Sequence, residues 1–314
     1  LYAALAVQTC RDFEVVFVDN GSKDGSARAA ADLGQSLDVD THIIRNASNL
    51  GFALSCNQGI RTSQTDYLVM LNNDTQPEPT WLENLLAATE NDSTVGMVAA
   101  KMLFAHRPES INSAGIAMDA AGIAWDWRGG QHDRPNETGL LEVFGPCGGA
   151  ALYTRTMLDE IGLFDEDFFM YLEDVDLACR ARLAGWTCLL QPQARVLHAH
   201  SATAGEGSPF KSFQLGRNKV WTLIKNVPEP FLAHHWHEII GYDLMASVYG
   251  FAKRRDSATI RGRLAALRQL PRFLEKRSVI QGRWRDVDNW ARLISPSEAP
   301  WTVSQRYQHL DGQS

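Results

Sequence analysis

The stretch Phe13-Glu14-Val15-Val16-Phe17-Val18-Asp19, followed at once by Asn20-Gly21-Ser22-Lys23-Asp24-Gly25-Ser26, decides the fold class. Its apolar run ends in a carboxylate, the pattern of a buried parallel strand. The turn-rich segment then gives way to an Ala-rich helix reaching about Leu33. The alternation continues with a strand at 41–44, a helix at 52–62, and a strand from Asp66 to Leu71 that leads into Asn72-Asn73-Asp74. Pro77 and Pro79 open a helix running to about Glu90, and Val95 to Ala100 forms a further strand. Strands alternating with helices predict an α/β sandwich built on a mostly parallel sheet.

Past this region the pattern loosens. Residues 101–145 carry Gly and Asp turns and predict antiparallel strands. Gly148-Gly149-Ala150-Ala151-Leu152-Tyr153 reads as a strand entered through a glycine pair, with a helix at 155–161 behind it. The aromatic run Phe168-Phe169-Met170-Tyr171 precedes a helix from about Glu173 to Ala184, and Gly185 stands where a C-cap glycine belongs. Strands near 187–190 and 194–198 lead to His198 and His200, and from about Lys211 the chain reads as mainly helical.

The chain has 314 residues, enough for one large domain plus an appendage. Its 45% hydrophobic and 21% charged residues exclude a disordered, collagen-like or disulfide-stapled protein. The net charge of −7 argues against a nucleic-acid binder and hides an asymmetry: residues 1–252 carry −14 and residues 253–285 carry +9. The five cysteines, Cys10, Cys56, Cys147, Cys179 and Cys188, are scattered without a CxxC, so packed thiols in a reducing compartment are expected. No segment reads as a membrane span; Phe231 to Ala252 is interrupted by His234, His235, His237, Glu238 and Asp243. The start Leu1-Tyr2-Ala3-Ala4-Leu5 lacks Met and reads as the inside of an amphipathic helix, so an upstream piece is expected.

In open α/β sheets ligands bind beyond the carboxyl ends of the strands. Asp19 and Asp74 each follow a strand, and two acids ending separate strands point to a site more strongly than one helix or turn cap would. The densest cluster is Glu173-Asp174-Val175-Asp176. Acids at a helix start favour its dipole, and Asp176 with Arg180 reads as a surface ion pair worth a few tenths of a kcal/mol. Their position directly after an aromatic run instead suggests a cleft wall. His198 is a candidate metal ligand, whereas His234-His235-Trp236-His237 has no second ligand group nearby in sequence. No Walker lysine and no GxGxxG after a strand is present, which weakens a P-loop or nicotinamide reading.

Taken in order, these stretches resemble the inverting family 2 glycosyltransferases of the GT-A fold, especially rhamnosyltransferase-like members. The resemblance rests on Val18 to Ser26; Asn49-Leu50-Gly51-Phe52-Ala53 with Asn57 and Gly59; Leu71 to Asp74; Gly162 to Tyr171; Glu173 to Leu177; Gly185-Trp186; His198; and Arg217-Asn218. It implies a GT-A domain over 1–210, a mixed sheet flanked by helices and lacking its first strand, and a mainly helical C-terminal extension over 211–314. It implies Asp174 as catalytic base with Glu173 as its motif partner. It implies donor contacts from Asp19, Asn20, Asn49, Gly51, Asn57, Asn72 and Arg217, and a divalent Mg or Mn held by Asp74 and His198. The family's DxD motif here reads Asn72-Asn73-Asp74, leaving one acid. The expected reaction moves a sugar, rhamnose by the resemblance, from a nucleoside diphosphate to a hydroxyl of a glycan or lipid-linked acceptor in polysaccharide synthesis. The basic amphipathic stretch 253–285 would meet an anionic membrane surface, placing the chain in the cytoplasm at the inner face of the cell membrane. The alternatives are a non-catalytic nucleotide-sugar-binding or scaffold subunit with a degenerate metal motif, and a nucleotidyltransferase.

Overall fold

The computed structural model describes residues 1–199, 208–254, 257–299 and 301–302. A short helix α1 (Tyr2–Leu5) leads to β1 (Val15–Asp19), α2 (Ser26–Ser36), β2 (Thr41–Arg45), α3 (Phe52–Thr62), β3 (Tyr67–Leu71), β4 (Thr75–Pro77), α4 (Trp81–Ala87) and β5 (Val95–Phe104). Then come β6 (Arg107–Ser113), β7 (Ile116–Asp119), β8 (Ala124–Asp126), β9 (Leu141–Glu142), β10 (Ala150–Thr154), α5 (Arg155–Ile161), α6 (Glu173–Leu183) and β11 (Thr187–His198). The rest comprises α7 (Pro209–Asn226), α8 (Glu229–Arg254), α9 (Ala258–Arg268), α10 (Leu270–Gln281), α11 (Val287–Ala291) and β12 (Ile294–Ser295).

The sheet is mixed, as the resemblance implies, and the mostly parallel sheet read from the alternation alone is not found. Its order is β3-β10-β5-β11-β4, with β6 added to β5 and β9 to β11. β5 and β11 are parallel, but β10 inserts antiparallel between β3 and β5, with Ala150 opposite Leu71 and Leu152 opposite Val98. The alternation governs only residues up to 104. After the excursion through β6 to β9 the chain re-enters at the carboxyl ends of β3 and β5, so β10 must run back against them. β1 and β2 form a separate parallel ribbon, in register from Val15–Thr41 to Asp19–Arg45. The two strands read at 187–190 and 194–198 are one strand, β11, with a register break between Gln191 and Arg195.

Every residue of β5 is buried, as expected of a central strand covered on both faces. One face packs α5 and α6 through Met97, Tyr153, Met157, Leu158 and Leu177. The other packs α4 through Trp81, Leu85, Val98 and Leu152. The C-terminal part joins the first of these cores through Leu223, Val227 and Trp290, and β12 pairs with β7. All five cysteines are free thiols.

Candidate active site

The loop Gly145-Pro146-Cys147-Gly148-Gly149, entering β10 at the carboxyl ends of β3 and β5, is where the site is built. Gly148 N–H donates to Asp174 Oδ2 at 3.0 Å, and Val175 N–H donates to Asp174 Oδ1 at 2.8 Å. The absence of side chains matters here: a Cβ on Gly148 would lie 3.2 Å from Phe52, and one on Gly149 3.0 Å from Met102 and 3.2 Å from Asn72 Nδ2. Gly149 C=O in turn accepts from Asn72 N–H at 2.9 Å, tying the end of β3 to the loop that holds Asp174. Two residues on, Asp74 Oδ1 lies 3.2 Å from His198 Nε2. The proposed base and the proposed metal ligands therefore border one loop system.

Burial raises the Asp174 carboxyl to about 6. The Gly148 and Val175 amides pull it down, and the nearby Asp126 carboxylate at the end of β8 pushes it up. Glu173 is buried, its Oε2 has no hydrogen-bond partner, and burial and then the Asp174 charge push its carboxyl well above the usual range. Of the two adjacent acids Glu173 is therefore the one that favours its protonated form, while Asp174, raised less, is the one that favours ionisation. Burial, joined by the charge of the neighbouring acid pair, also pushes the Cys56 thiol up, so it stays neutral.

The third acid of the cluster does something else. The Asp176 side chain is fully buried and bonds Arg180 Nε at 3.0 Å, Lys225 Nζ at 2.8 Å and Asn226 Nδ2 at 2.8 Å. The expected surface pair between Asp176 and Arg180 is thus corrected to an interior network, because Lys225 and Asn226 arrive from α7 to enclose it.

The segment before α6 is strained. Phe169, Tyr171 and Leu172 all have φ between 64° and 69°, a region that non-glycine residues avoid. Asn218 of α7 holds it there: its Nδ2 donates to the carbonyls of Phe168 (3.0 Å), Met170 (3.0 Å) and Tyr171 (2.7 Å). Arg217 also serves this turn, donating to Phe168 C=O at 3.0 Å and stacking its guanidinium 4.3 Å from the Trp221 ring. Burial lowers Arg217 to about 10. Asn57 is likewise engaged: it donates to Phe164 C=O and Glu166 Oε1 and accepts from Phe164 N–H. Of the expected donor contacts, Asn57 and Arg217 are therefore braces of the 164–171 segment.

Asn72 follows β3, and the other expected donor residues, Asp19, Asn20, Asn49 and Gly51, gather at the carboxyl end of β1. Asp19 Oδ1 caps the turn through Ser22 N–H at 2.8 Å. Asn20 joins this turn to the next loop, donating to Asn49 Oδ1 at 2.8 Å and accepting from Leu50 N–H at 2.9 Å. Gly51 has φ +89°, and a Cβ there would meet Phe169 O at 2.5 Å, so only glycine lets α3 abut the strained turn. Asn49 Oδ1 accepts the Gly51 N–H at 2.9 Å.

The donor set suits a hard divalent ion. Asp74 offers a carboxylate oxygen beside the His198 imidazole, and His198 Nδ1 lies 2.8 Å from Asn112 Oδ1, an acceptor that fixes the tautomer leaving Nε2 toward Asp74. Among the described residues the one grouping of three or more metal-type side chains is elsewhere: Glu14, Asp40 and His42, all exposed, at the amino ends of β1 and β2. His235 bonds Glu238 at 2.7 Å and belongs to no such grouping among the described residues. His200 lies outside the described residues. Gly148, Asp126 and Asn112, which the structure places around the candidate site, are not legible there in the sequence; only the Gly148-Gly149 pair carries a signal, and by itself it reads as a strand entry.

The chain is similar to several known proteins. An N-acetylglucosaminyl-diphospho-decaprenol L-rhamnosyltransferase of Mycobacterium tuberculosis is 28% identical over 223 residues, covering 63% of this chain and 71% of that one. The O-antigen biosynthesis protein RfbC of Myxococcus xanthus is 26% identical over 204 residues, covering 61% of this chain and 15% of that one. The crystal structure of GalNAc-T7 with UDP, GalNAc and Mn2+ superposes with a TM-score of 0.61 at 17% identity over 88% of this chain and 51% of that chain, a likeness of fold, which is GT-A. Residues 1–162, just over half of the chain, match the profile of glycosyl transferase family 2, and the chain belongs to that family of glycosyltransferases.

Proposed function

We propose that the chain transfers a sugar, with inversion, from a nucleoside diphosphate to a hydroxyl group of a lipid-linked or glycan acceptor, and that Asp174 is the base. The observation that carries this reading is Asp174 itself: a half-buried residue whose carboxyl is raised to about 6 and aimed by two backbone amides, beside Glu173, whose carboxyl burial raises further. An alcohol is a poor nucleophile, and a carboxylate that is ionised at neutral pH yet more basic than usual suits the task of taking its proton. The acceptor oxygen forms its bond to the anomeric carbon, the bond from that carbon to the diphosphate breaks, and the hydroxyl proton passes to Asp174.

Asp19, Asn20, Asn49, Gly51 and Asn72 would line the donor side at the ends of β1 and β3. Asp74 and His198 would hold a divalent Mg or Mn, which when bound neutralises the charge gathering on the leaving diphosphate. The relative named for rhamnosyl transfer to a decaprenol-linked sugar supports a rhamnose donor and a lipid-linked acceptor here. An acceptor of that kind would bring the enzyme to a membrane surface. Replacing Asp174 by Asn is expected to lower turnover by roughly 10²–10⁴-fold with the far-UV circular dichroism preserved. Unchanged turnover in a folded variant would remove Asp174 from the role of base.

A further inference from the structure

Five of the eleven cations in the +9 stretch at 253–285 are engaged within the molecule. Arg272 pairs with Asp167, Lys276 with Asp165 and Asp167, Arg263 with Asp243, and Arg285 with Glu160, while Arg277 donates to the carbonyls of Ile224 and Val227. Arg263, Lys276 and Arg277 are thereby held against the body, whereas Arg272 and Arg285 pair at the surface and stay mostly exposed. The apolar surface lies on α8. Its inner face packs through Phe231, Leu232, Ile239 and Tyr242, and both of its interior acids are occupied there: Glu238 with His235 and Ser297, Asp243 with Lys219 and Arg263. Its outer face is open. Trp236 is 59% exposed, Ile240 50%, Leu244 63%, Val248 70% and Phe251 59%. These residues follow one another at steps of four, four, four and three, so they form one stripe along the helix.

A stripe of this size on an isolated chain marks a docking surface. Its chemistry selects the occupant. No Asp or Glu is exposed between Ala233 and Ala252. Lys253-Arg254-Arg255 follows in sequence, and α9, tied to α8 by Arg263 bonding Asp243 and Ser247, exposes Arg261 and Arg268 beside Leu264 and Leu267 with no acid from Ser257 to Leu274. On a chain of net charge −7, α8 exposes no acid after Glu229 among the described residues, and the neighbouring α9 exposes cations. We infer that the outer face of α8 enters the headgroup–acyl boundary of an anionic bilayer, lying in its plane, with Arg261 and Arg268 on the lipid headgroups. The inference rests on the proposed lipid-linked acceptor for its purpose, but the binding needs neither donor nor acceptor.

The test is co-sedimentation of the full chain with vesicles of phosphatidylcholine, with and without phosphatidylglycerol, in the absence of nucleotide sugar. Wild type is expected to pellet with the anionic vesicles. Leu244→Asp with Val248→Asp should weaken this by roughly tenfold or more per side chain, with unchanged circular dichroism and melting temperature because both positions face outward. Arg261→Glu with Arg268→Glu should remove most of the preference for phosphatidylglycerol. Trp236 emission should shift to the blue on vesicle addition, read as the difference from Trp236→Phe. Absence of pelleting by wild type, or equal pelleting by the apolar-to-acidic variant, overturns the inference. So does a wild-type dimer that the same variant dissociates without change in vesicle binding, which assigns the stripe to a second copy. The Asp174→Asn protein should bind vesicles like wild type, so loss of the catalytic reading and loss of this one are separable.

Discussion

Two adjacent acids at the start of α6 are both pushed toward their protonated forms, Glu173 more strongly, and this is testable one residue at a time. Burial and then the Asp174 charge raise the Glu173 carboxyl. Its folded pKa lies above its unfolded one, so the native state holds more protons than the unfolded state above about pH 4.5, and wild type loses stability as pH rises through that window. Glu173→Gln keeps the shape of the neutral form and escapes the loss. Its melting temperature should match wild type near pH 4.5 and exceed it increasingly toward neutrality, by the equivalent of about 1–3 kcal/mol. A constant difference across that range would mean that Glu173 is not the protonated member. Asp126 has the complementary role: its charge raises Asp174. Asp126→Asn should therefore move the acidic limb of the pH–rate profile, expected near pH 6 in wild type, toward lower pH by up to about one unit. A limb that stays in place or moves to higher pH would show that Asp126 does not act on the base.

At the scale of the element, the piece that aims Asp174 is the left-handed turn before α6, and the side chain that maintains it stands on α7. Asn218 supplies both of its amide hydrogens to three carbonyls of a segment whose backbone is unfavourable without them. Asn218→Ala should cost about 2–4 kcal/mol in urea unfolding and lower kcat more than the donor KM, since the base loses its position and the donor loop does not. A folded variant with wild-type kcat would show that the turn keeps its shape unaided. This contact also marks where the sequence is legible. β1, α2, β2, α3, β3 and β5 announce themselves by period and by terminal Gly and Asp, which are local signals, whereas Pro77, expected to open a helix, ends β4, and the helix begins at Trp81. β10 does not reveal its direction locally, because that depends on where the preceding loop re-enters the sheet. The true setting of Asp176 is equally hidden: the spacing to Arg180 suggests a surface pair, while Lys225 and Asn226 lie about fifty residues away in sequence. The α8 stripe is concealed in the same way, since Glu238 and Asp243 interrupt it only when the helix is read as a line.

Across the whole molecule, the split between an acidic body and a basic tail is a fold contact. The acids of the Gly162 to Asp176 stretch meet cations that arrive from α7 and α10: Lys225 bridges Asp165 at 2.6 Å and Asp176 at 2.8 Å, and Lys276 bridges Asp165 at 2.5 Å and Asp167 at 2.6 Å. α7 and α10 therefore clamp the segment that leads to the proposed base, and the C-terminal helices share a core with the first half. Burial alone would push the Asp165 carboxyl up, but Lys225 and Lys276 outweigh it and hold it well below the usual carboxylate range. A depressed carboxyl contributes stability that is present above its unfolded pKa, near ~4, and is lost as pH falls below that value. Lys225→Met removes one cation from two buried carboxylates and should destabilise the native state by about 3–5 kcal/mol at neutral pH. Because Asp165 gains from Lys225 only while ionised, the gap between wild type and variant should narrow as pH drops from about 4 toward 2. Added salt should change it little at neutral pH, since the pair is out of reach of screening ions. A gap of the same size at every pH would instead assign the loss to packing, because the Lys225 ammonium also lies 5.6 Å from the Phe168 ring.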